Sequence, residues 1–432
     1  MTEKNIIKSI IAILKEEIIP AEGCTEPIAL AYAASLATRA LEGRVPESMD
    51  IYLSGNLIKN VKSVHIPGTN GQAGIEMAVA MGAILGDSTR KLMVISNVDL
   101  SRLDEVRAYA ASGRINIHLE KDCPKLYIRI EAQPGDAIVE ISDFHTNVTR
   151  FEAGGVNLLE KSTGGCAEQS IVEELTDRSF LTLDLICEMA RSMDMTPLEP
   201  LFDEVIRCNE AIAREGLTNE WGIAIGKTIQ EGIREGMYGN DIKNNLASWA
   251  AAGSDARMNG CPLPVMTTSG SGNQGMTCSL PIIRFCRMKG LGHDTMVRGL
   301  FVSHLTTIHI KENIGRLSAY CGAMAASAGV AGALAFIDGL PTERVKMAVE
   351  TTLATVSGII CDGAKSSCAT KIATGIQTAV DSFMAARKGR SLSYGDGIVG
   401  RDIESTISHV GTLGNDGMRE TDDDILGIML EK

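Results

Sequence analysis

Apolar residues near the N-terminus recur at three- and four-residue intervals. Ile6, Ile7, Ile10, Ile11, Leu14 and Ile18 fall on one side of a helical wheel, with Glu3, Lys4, Lys8 and Lys15 around the rest. This spacing predicts an amphipathic helix that ends at Pro20, and a second helix that starts just past Pro27 and runs through Ala29 to Leu41. The loop between them, Ala21 to Glu26, sets Cys24 at a helix N-terminus, where the partial positive charge favours a thiolate.

From about Asp50 to Leu159 the pattern changes to short alternating or β-branched runs. Ile51–Leu53, Leu92–Val98, Ile115–Leu119, Leu126–Glu131 and Ala137–Ile141 read as strands, interrupted by helices around Gly74–Leu85 and Leu103–Ala111. Beyond about Ile171 there is almost no strand signal, only helices broken by Gly, Pro and Ser/Asn clusters. The expected fold class is α+β. Residues 1–170 form a lobe with a mixed β-sheet and helices, residues 171–432 an all-α lobe of packed, small-residue-rich helices, and the active site lies between them. The first helix, residues 1–19, is free to pack on the C-terminal lobe. The junction is expected near Gly164–Thr176. At 432 residues the chain exceeds the size at which one core usually stops growing. Leu317–Ile337 carries no charge, but its Ala, Gly and Ser content and the flanking Arg316 and Asp338 favour a tightly packed buried helix over a membrane span.

Composition narrows the chemistry. A net charge of -13 and only 4% aromatic residues argue against a nucleic-acid surface. The expected partner is a small molecule, with no nucleic acid and no membrane. The N-terminal stretch lacks a cleavage site, which predicts a cytoplasmic protein, and a homodimer is the default assembly. Eleven cysteines at irregular spacings in such a chain point to reduced thiols and not to a disulfide framework. Cys187, Cys208 and Cys286, among apolar helical neighbours, read as ordinary buried residues.

Two Gly-rich loops can hold an anion on backbone N–H groups: Pro67–Gly74, and Thr268–Gly275 with its donors Ser269, Ser271, Asn273 and Gln274. Gly270 to Gly275 formally matches the dinucleotide fingerprint, but it lies in the helical half with Pro281 following and no acidic strand end downstream. A plain turn is the third reading. No C-x-x-C pair occurs, so a metal site, if cysteines form one, is assembled from distant segments. His65, His145 and His304 lie in polar surroundings, and Lys59 could serve as a base if burial or a nearby positive charge lowered its pKa.

Five motifs occur in order: Gly23-Cys24-Thr25-Glu26-Pro27, Ala252 to Met258, Ser269 to Gly275, Arg316 to Cys321, and Ser357 to Ala364. Together they resemble the iron–sulfur L-cysteine desulfidase family, related to the α-subunit-like region of bacterial iron–sulfur L-serine dehydratases, over nearly the whole chain. The resemblance implies a [4Fe-4S] cluster on three thiolates, placed by the motifs at Cys24, Cys321 and Cys361, with Cys368 in reserve and one iron open to substrate. It implies a lyase that takes L-cysteine to pyruvate, ammonia and sulfide by β-elimination. An L-serine dehydratase and a non-catalytic protein that binds cysteine or sulfide are the alternatives. Gly23 to Pro27 lacks the histidine of the dehydratase loop, which leaves the base open among Lys59, His145 and His304. Arg257 joins Ser269, Ser271, Asn273 and Gln274 as expected carboxylate contacts. Asn56, Thr69 and Asn147 are expected to orient the amine.

Overall fold

The computed structural model describes residues 2–159 and 175–431. The expected junction around Gly164–Thr176 falls almost wholly outside them. In chain order the elements are α1 (Glu3–Glu17), β1 (Pro20–Glu22), α2 (Thr25–Ala40), β2 (Ser48–Ser54), α3 (Gly55–Val61), α4 (Ile75–Leu85), α5 (Leu103–Ala110), β3 (Ile115–Glu120), β4 (Tyr127–Gln133), β5 (Ala137–Ser142), β6 (Val148–Ala153) and β7 (Val156–Asn157). There follow α6 (Leu183–Ser192), α7 (Glu199–Thr218), α8 (Ile225–Arg234), α9 (Ile242–Met258), β8 (Pro264–Met266), α10 (Gly272–Lys289), α11 (His293–Ile314), α12 (Gly322–Ile337), α13 (Thr342–Val356), α14 (Cys368–Arg387), α15 (Ile403–Thr412) and α16 (Arg419–Leu430). The fold is α+β, as the periodicities predict.

Six strands form one sheet in the order β3-β2-β4-β5-β6-β7, with β2 and β3 parallel and the other pairs antiparallel. Its alternating residues, among them Ile51, Leu53, Ile128, Ile130, Val139 and Ile141, are buried in a core shared with α2 and α4. Those two helices touch backbone to backbone, because a Cβ on Gly82 would stand 2.0 Å from the Ala31 carbonyl oxygen. A second core holds the helices from α6 to α15, and Ile10, Ile13, Leu14 and Ile18 of α1 belong to it. The uncharged helix α12 lies inside this core. Thirteen of its residues are buried, and Gly329 lets it meet α11 at the Ser303 carbonyl. Cys187, Cys208 and Cys286 are buried there, as their neighbours suggest.

Two expectations need correction. Leu92–Val98 forms no strand. Asp87 caps a 3₁₀ turn over Ser88–Met93 by accepting the Thr89 amide, and Leu92, Val94 and Ile95 bury their side chains in the sheet-side core without a neighbouring strand. Their apolar run reflects burial and not a period of two. The helical half also contains a strand, β8, which pairs antiparallel with β1 from Pro20↔Met266 to Glu22↔Pro264. A three-residue strand that depends on a partner more than 240 positions away carries no local signal. Its consequence is positional, because the ladder sets the start of the Gly-rich loop beside the end of α1, where the Thr267 amide donates to the Ile19 carbonyl (2.9 Å).

Candidate active site

Cys24 is the N-cap residue of α2 and Cys321 that of α12, while Cys368 opens α14. The loops that carry Cys321 and Cys361 are stitched together. The Cys361 amide donates to the Ala319 carbonyl (2.6 Å) and the Cys321 amide to that of Ile359 (3.2 Å). Cys24, Cys321, Cys361 and Cys368 all line one cavity, together with Glu26, Asn60, Arg257, Ser271, Asn273, Gln274, Lys311, Arg316 and Tyr320. All four thiols are free.

The charges in this cavity are unusual. Arg257 is 2% exposed, yet its Nε and Nη2 find no hydrogen-bond partner among the described residues. Gly272 makes room for it, since a Cβ there would stand 2.4 Å from the Arg257 Nε. Gln274 Oε1 and the Tyr320 hydroxyl are likewise buried without partners. Buried polar groups are normally satisfied, so several orphans facing one space mark a place for a ligand. The N-terminus of α10, capped by Ser271 through the Gln274 amide (3.4 Å), adds its dipole there. Lys311 is also buried, donates to the Arg316 carbonyl (3.3 Å) and has no carboxylate partner among the described residues. Burial lowers its pKa to about 8, opposed by Cys361 and Cys321.

Burial raises the Cys24 pKa far above the usual thiol range; Glu26, which accepts its S–H (2.9 Å), adds to this and Arg257 opposes it. The helix-end effect expected for Cys24 is therefore outweighed. Burial also raises Cys321 to about 12, with Cys361 and then Cys368 as its electrostatic neighbours, and it raises Cys368. Glu26 goes the other way. Burial favours its neutral form, but His145 and the Cys24 thiol hold it ionised, with a pKa of about 2.

The structure separates the expected site residues. Ser271, Asn273, Gln274 and Arg257 line the cysteine cavity. Ser269, at φ 49°, shapes the turn before Gly270 and does not line it. His145 lies beyond the lining, 3.9 Å from Glu26, in a larger cavity of about 620 Å³ that also reaches Arg316. His304 is buried against Phe202, bonded to the Thr268 hydroxyl (2.7 Å), and burial lowers its pKa to about 3. Lys59 is 1% exposed and ion-paired with Asp422 at 2.5 Å. Thr69 closes its own loop on the Ile66 carbonyl (2.7 Å), Asn147 donates to the Ser142 carbonyl (2.9 Å), and Asn56 lines a cavity beside Asp422 and Lys125. Gly270–Gly275 opens a helix that contains Pro281, preceded by a strand outside the parallel pair, so it belongs to no βαβ unit. Lys311, Glu26 and Tyr320 are the site residues that sequence reading missed. Lys311 lies in an ordinary-looking amphipathic run and only its burial singles it out.

A profile of the serine dehydratase alpha chain family matches residues 167–427, and the chain belongs to that family. The family is linked to iron–sulfur serine dehydratases, which points to a lyase-type enzyme. Relatives match along their whole length. UPF0597 protein FN1147 of Fusobacterium nucleatum is 52% identical over 98% of this chain and 99% of its own. A UPF0597 protein of Lachnoclostridium phytofermentans is 41% identical over 98% and 99%, and UPF0597 protein DSY1109 of Desulfitobacterium hafniense 41% over 97% and 96%.

The donor set fits an iron–sulfur cluster. Among the described residues no three His, Cys, Asp or Glu side chains converge closely enough for a single metal ion. Each thiolate of a cluster takes a different iron, so cluster ligands stand further apart than that. Four free thiols, two of them N-caps, one buried and three half-buried, supply the chemistry such a group requires. Among the described residues no helix is long and apolar enough to cross a membrane.

Proposed function

We propose that the chain is an iron–sulfur lyase that converts L-cysteine and water to pyruvate, ammonia and hydrogen sulfide. The observation that carries this reading is the meeting of four free thiols with an unpartnered, buried guanidinium in one cavity. Cys321, Cys361 and Cys368 are the proposed thiolate ligands, because the other two exert the largest charge effects on Cys321, whereas those on Cys24 come from Glu26 and Arg257. This promotes the reserve Cys368 over Cys24. Held by three thiolates, a [4Fe-4S] cluster supplies an iron without a protein ligand, a Lewis acid that suits sulfur.

Arg257 and the N-terminus of α10, with Ser271, Asn273 and Gln274, hold the substrate carboxylate. Lys311, an amine with no carboxylate partner in the same cavity, takes the Cα proton. The Cα–H electron pair becomes the Cα–Cβ double bond, and the Cβ–S bond breaks with its pair leaving on sulfur. The resulting 2-aminoacrylate tautomerises to an imine, which water hydrolyses to pyruvate and ammonia. Glu26, ionised between Cys24 and His145, holds the Cys24 thiol turned toward it. Of the three bases expected from sequence none lines this cavity; His145 approaches it through Glu26, 3.9 Å away.

The family match favours one rival, dehydration of L-serine on the same residues. Anaerobic purification with iron and sulfide assays, then incubation with L-cysteine and with L-serine while sulfide, ammonia and pyruvate are followed, separates the readings. Sulfide and pyruvate in equal amounts from L-cysteine support the proposal. Pyruvate from L-serine alone replaces it with the dehydratase, and binding of L-cysteine without pyruvate makes the chain a cysteine-binding protein.

A further inference from the structure

The loops that carry Cys321 and Cys361 meet edge to edge at Tyr320 and Ile360, yet neither belongs to a sheet. Something outside them must fix their position. On one side the Cys361 loop rests on α3, because a Cβ on Gly363, whose φ is 93°, would stand 2.5 Å from the Lys59 carbonyl oxygen. On the other side the stitch ends at Ala319, whose carbonyl receives the Cys361 amide and whose own amide donates to Asp422 Oδ2 (3.0 Å). The second oxygen of Asp422 takes the Lys59 ammonium at 2.5 Å. One carboxylate on the last helix thus joins α3, the Cys321 loop and, through Ala319, the Cys361 loop. The last helix is docked at both ends: Lys62 donates to the Met429 carbonyl, and Ser318 to the Gly414 carbonyl just before the helix.

We propose that Asp422 is a positioning residue for the two cysteine loops, and that Lys59 orients Asp422 instead of acting as a base. This rests on the reading of those cysteines as cluster ligands. Two bonds to one half-buried, charge-paired carboxylate hold the loops in register, so losing the bond to Ala319 should loosen Cys321 and Cys361 while the helical core stays intact.

Three variants separate positioning from simple attachment of the last helix. Asp422→Ala removes both bonds. Asp422→Asn keeps an acceptor for Ala319 without the charge. The swap Lys59→Asp with Asp422→Lys keeps an ion pair but leaves the Ala319 amide without its carboxylate. Alkylation of each cysteine in metal-free protein is followed by mass spectrometry, iron release to a ferrous chelator is followed in reconstituted protein, and thermal unfolding is recorded alongside. Asp422→Ala and the swap should speed alkylation of Cys321 and Cys361, and iron release, about tenfold, the loss of one charge-assisted hydrogen bond. Asp422→Asn should change them less, and Cys187 and Cys286 in the helical core should react as in wild type. If the swap restores wild-type alkylation and iron release, the carboxylate only ties the helix down and the proposal is overturned; unchanged rates in all three variants overturn it too. Should Asp422→Ala fail to fold, the swap and the Asn variant still separate the two roles. Wild-type protein that takes up no iron refutes the cluster reading, and the alkylation rates still decide the role of Asp422.

Discussion

A buried guanidinium without a carboxylate is a cost that a folded chain carries only for a ligand, and Arg257→Met makes that quantitative. Methionine keeps most of the unbranched stem and removes the charge. In the substrate-free protein Arg257 Nε and Nη2 lack partners, and a buried polar group left unpaired costs about 1–3 kcal/mol. The variant should therefore be more stable than wild type by about 1–3 kcal/mol, read as a higher urea midpoint of unfolding. Substrate binding should change the opposite way. Two charge-assisted bonds to a carboxylate are lost, and taking about 3 kcal/mol as their net worth gives a roughly 150-fold weaker affinity for L-cysteine. Cysteamine, which lacks the carboxylate, should bind wild type and variant alike. Arg257 also lies close enough to Cys24 and Cys368 to affect their charges, so iron per chain is measured in the same samples. Equal weakening for both amines, or iron loss that matches the loss of binding, would refute the carboxylate role. Lower stability would refute the account of the orphaned charge.

Other consequences follow from single residues. Asp255 is fully buried and accepts the Gly226 amide (2.8 Å) on one oxygen, while burial raises its pKa from 3.8 to about 7. A carboxyl whose folded pKa is raised contributes stability that is fully present below about pH 4 and lost as pH rises to about 7. Asp255→Asn should therefore flatten the pH dependence of the urea midpoint in that window, by an amount on the order of 4 kcal/mol. Gly82→Ala drives a methyl into the Ala31 backbone and should destabilise the sheet-side core by about 3 kcal/mol. Gly427→Ala, in α16 with open space around it, should instead stabilise by up to about 1 kcal/mol; thermal unfolding of both checks the contrast. Cys368→Ser should cut iron per chain to below half of wild type, while Cys24→Ser should retain iron and visible absorbance.

Much of the fold is legible along the chain because its signals are local. The apolar stripe of α1, the stop at Pro20, the alternation in β2, β4 and β5 and the small-residue run of α12 each reflect contacts that neighbouring residues impose on one another. Leu92–Val98 misleads for the same reason: a buried apolar run reads as a strand until Asp87 captures the Thr89 amide and turns it. The Arg257 motif and the Ser271–Gln274 loop are visible as polar segments, and both reach the cavity. Lys59 and Lys311 are not distinguishable in this way. Each is a lysine in a helix, Lys59 in a short one and Lys311 in the long α11, and Lys59 is paired only because Asp422, 363 positions away, is brought to it.

The sequence by itself determined the α+β class, the place of Cys24 at the start of α2, and the family through its motifs. Only the tertiary structure decided which thiols share a cavity, which cation lacks a partner and which base is already paired. Helix and strand periods report a residue's side of its own element, whereas charge pairing and desolvation depend on what the rest of the chain brings within a few ångströms.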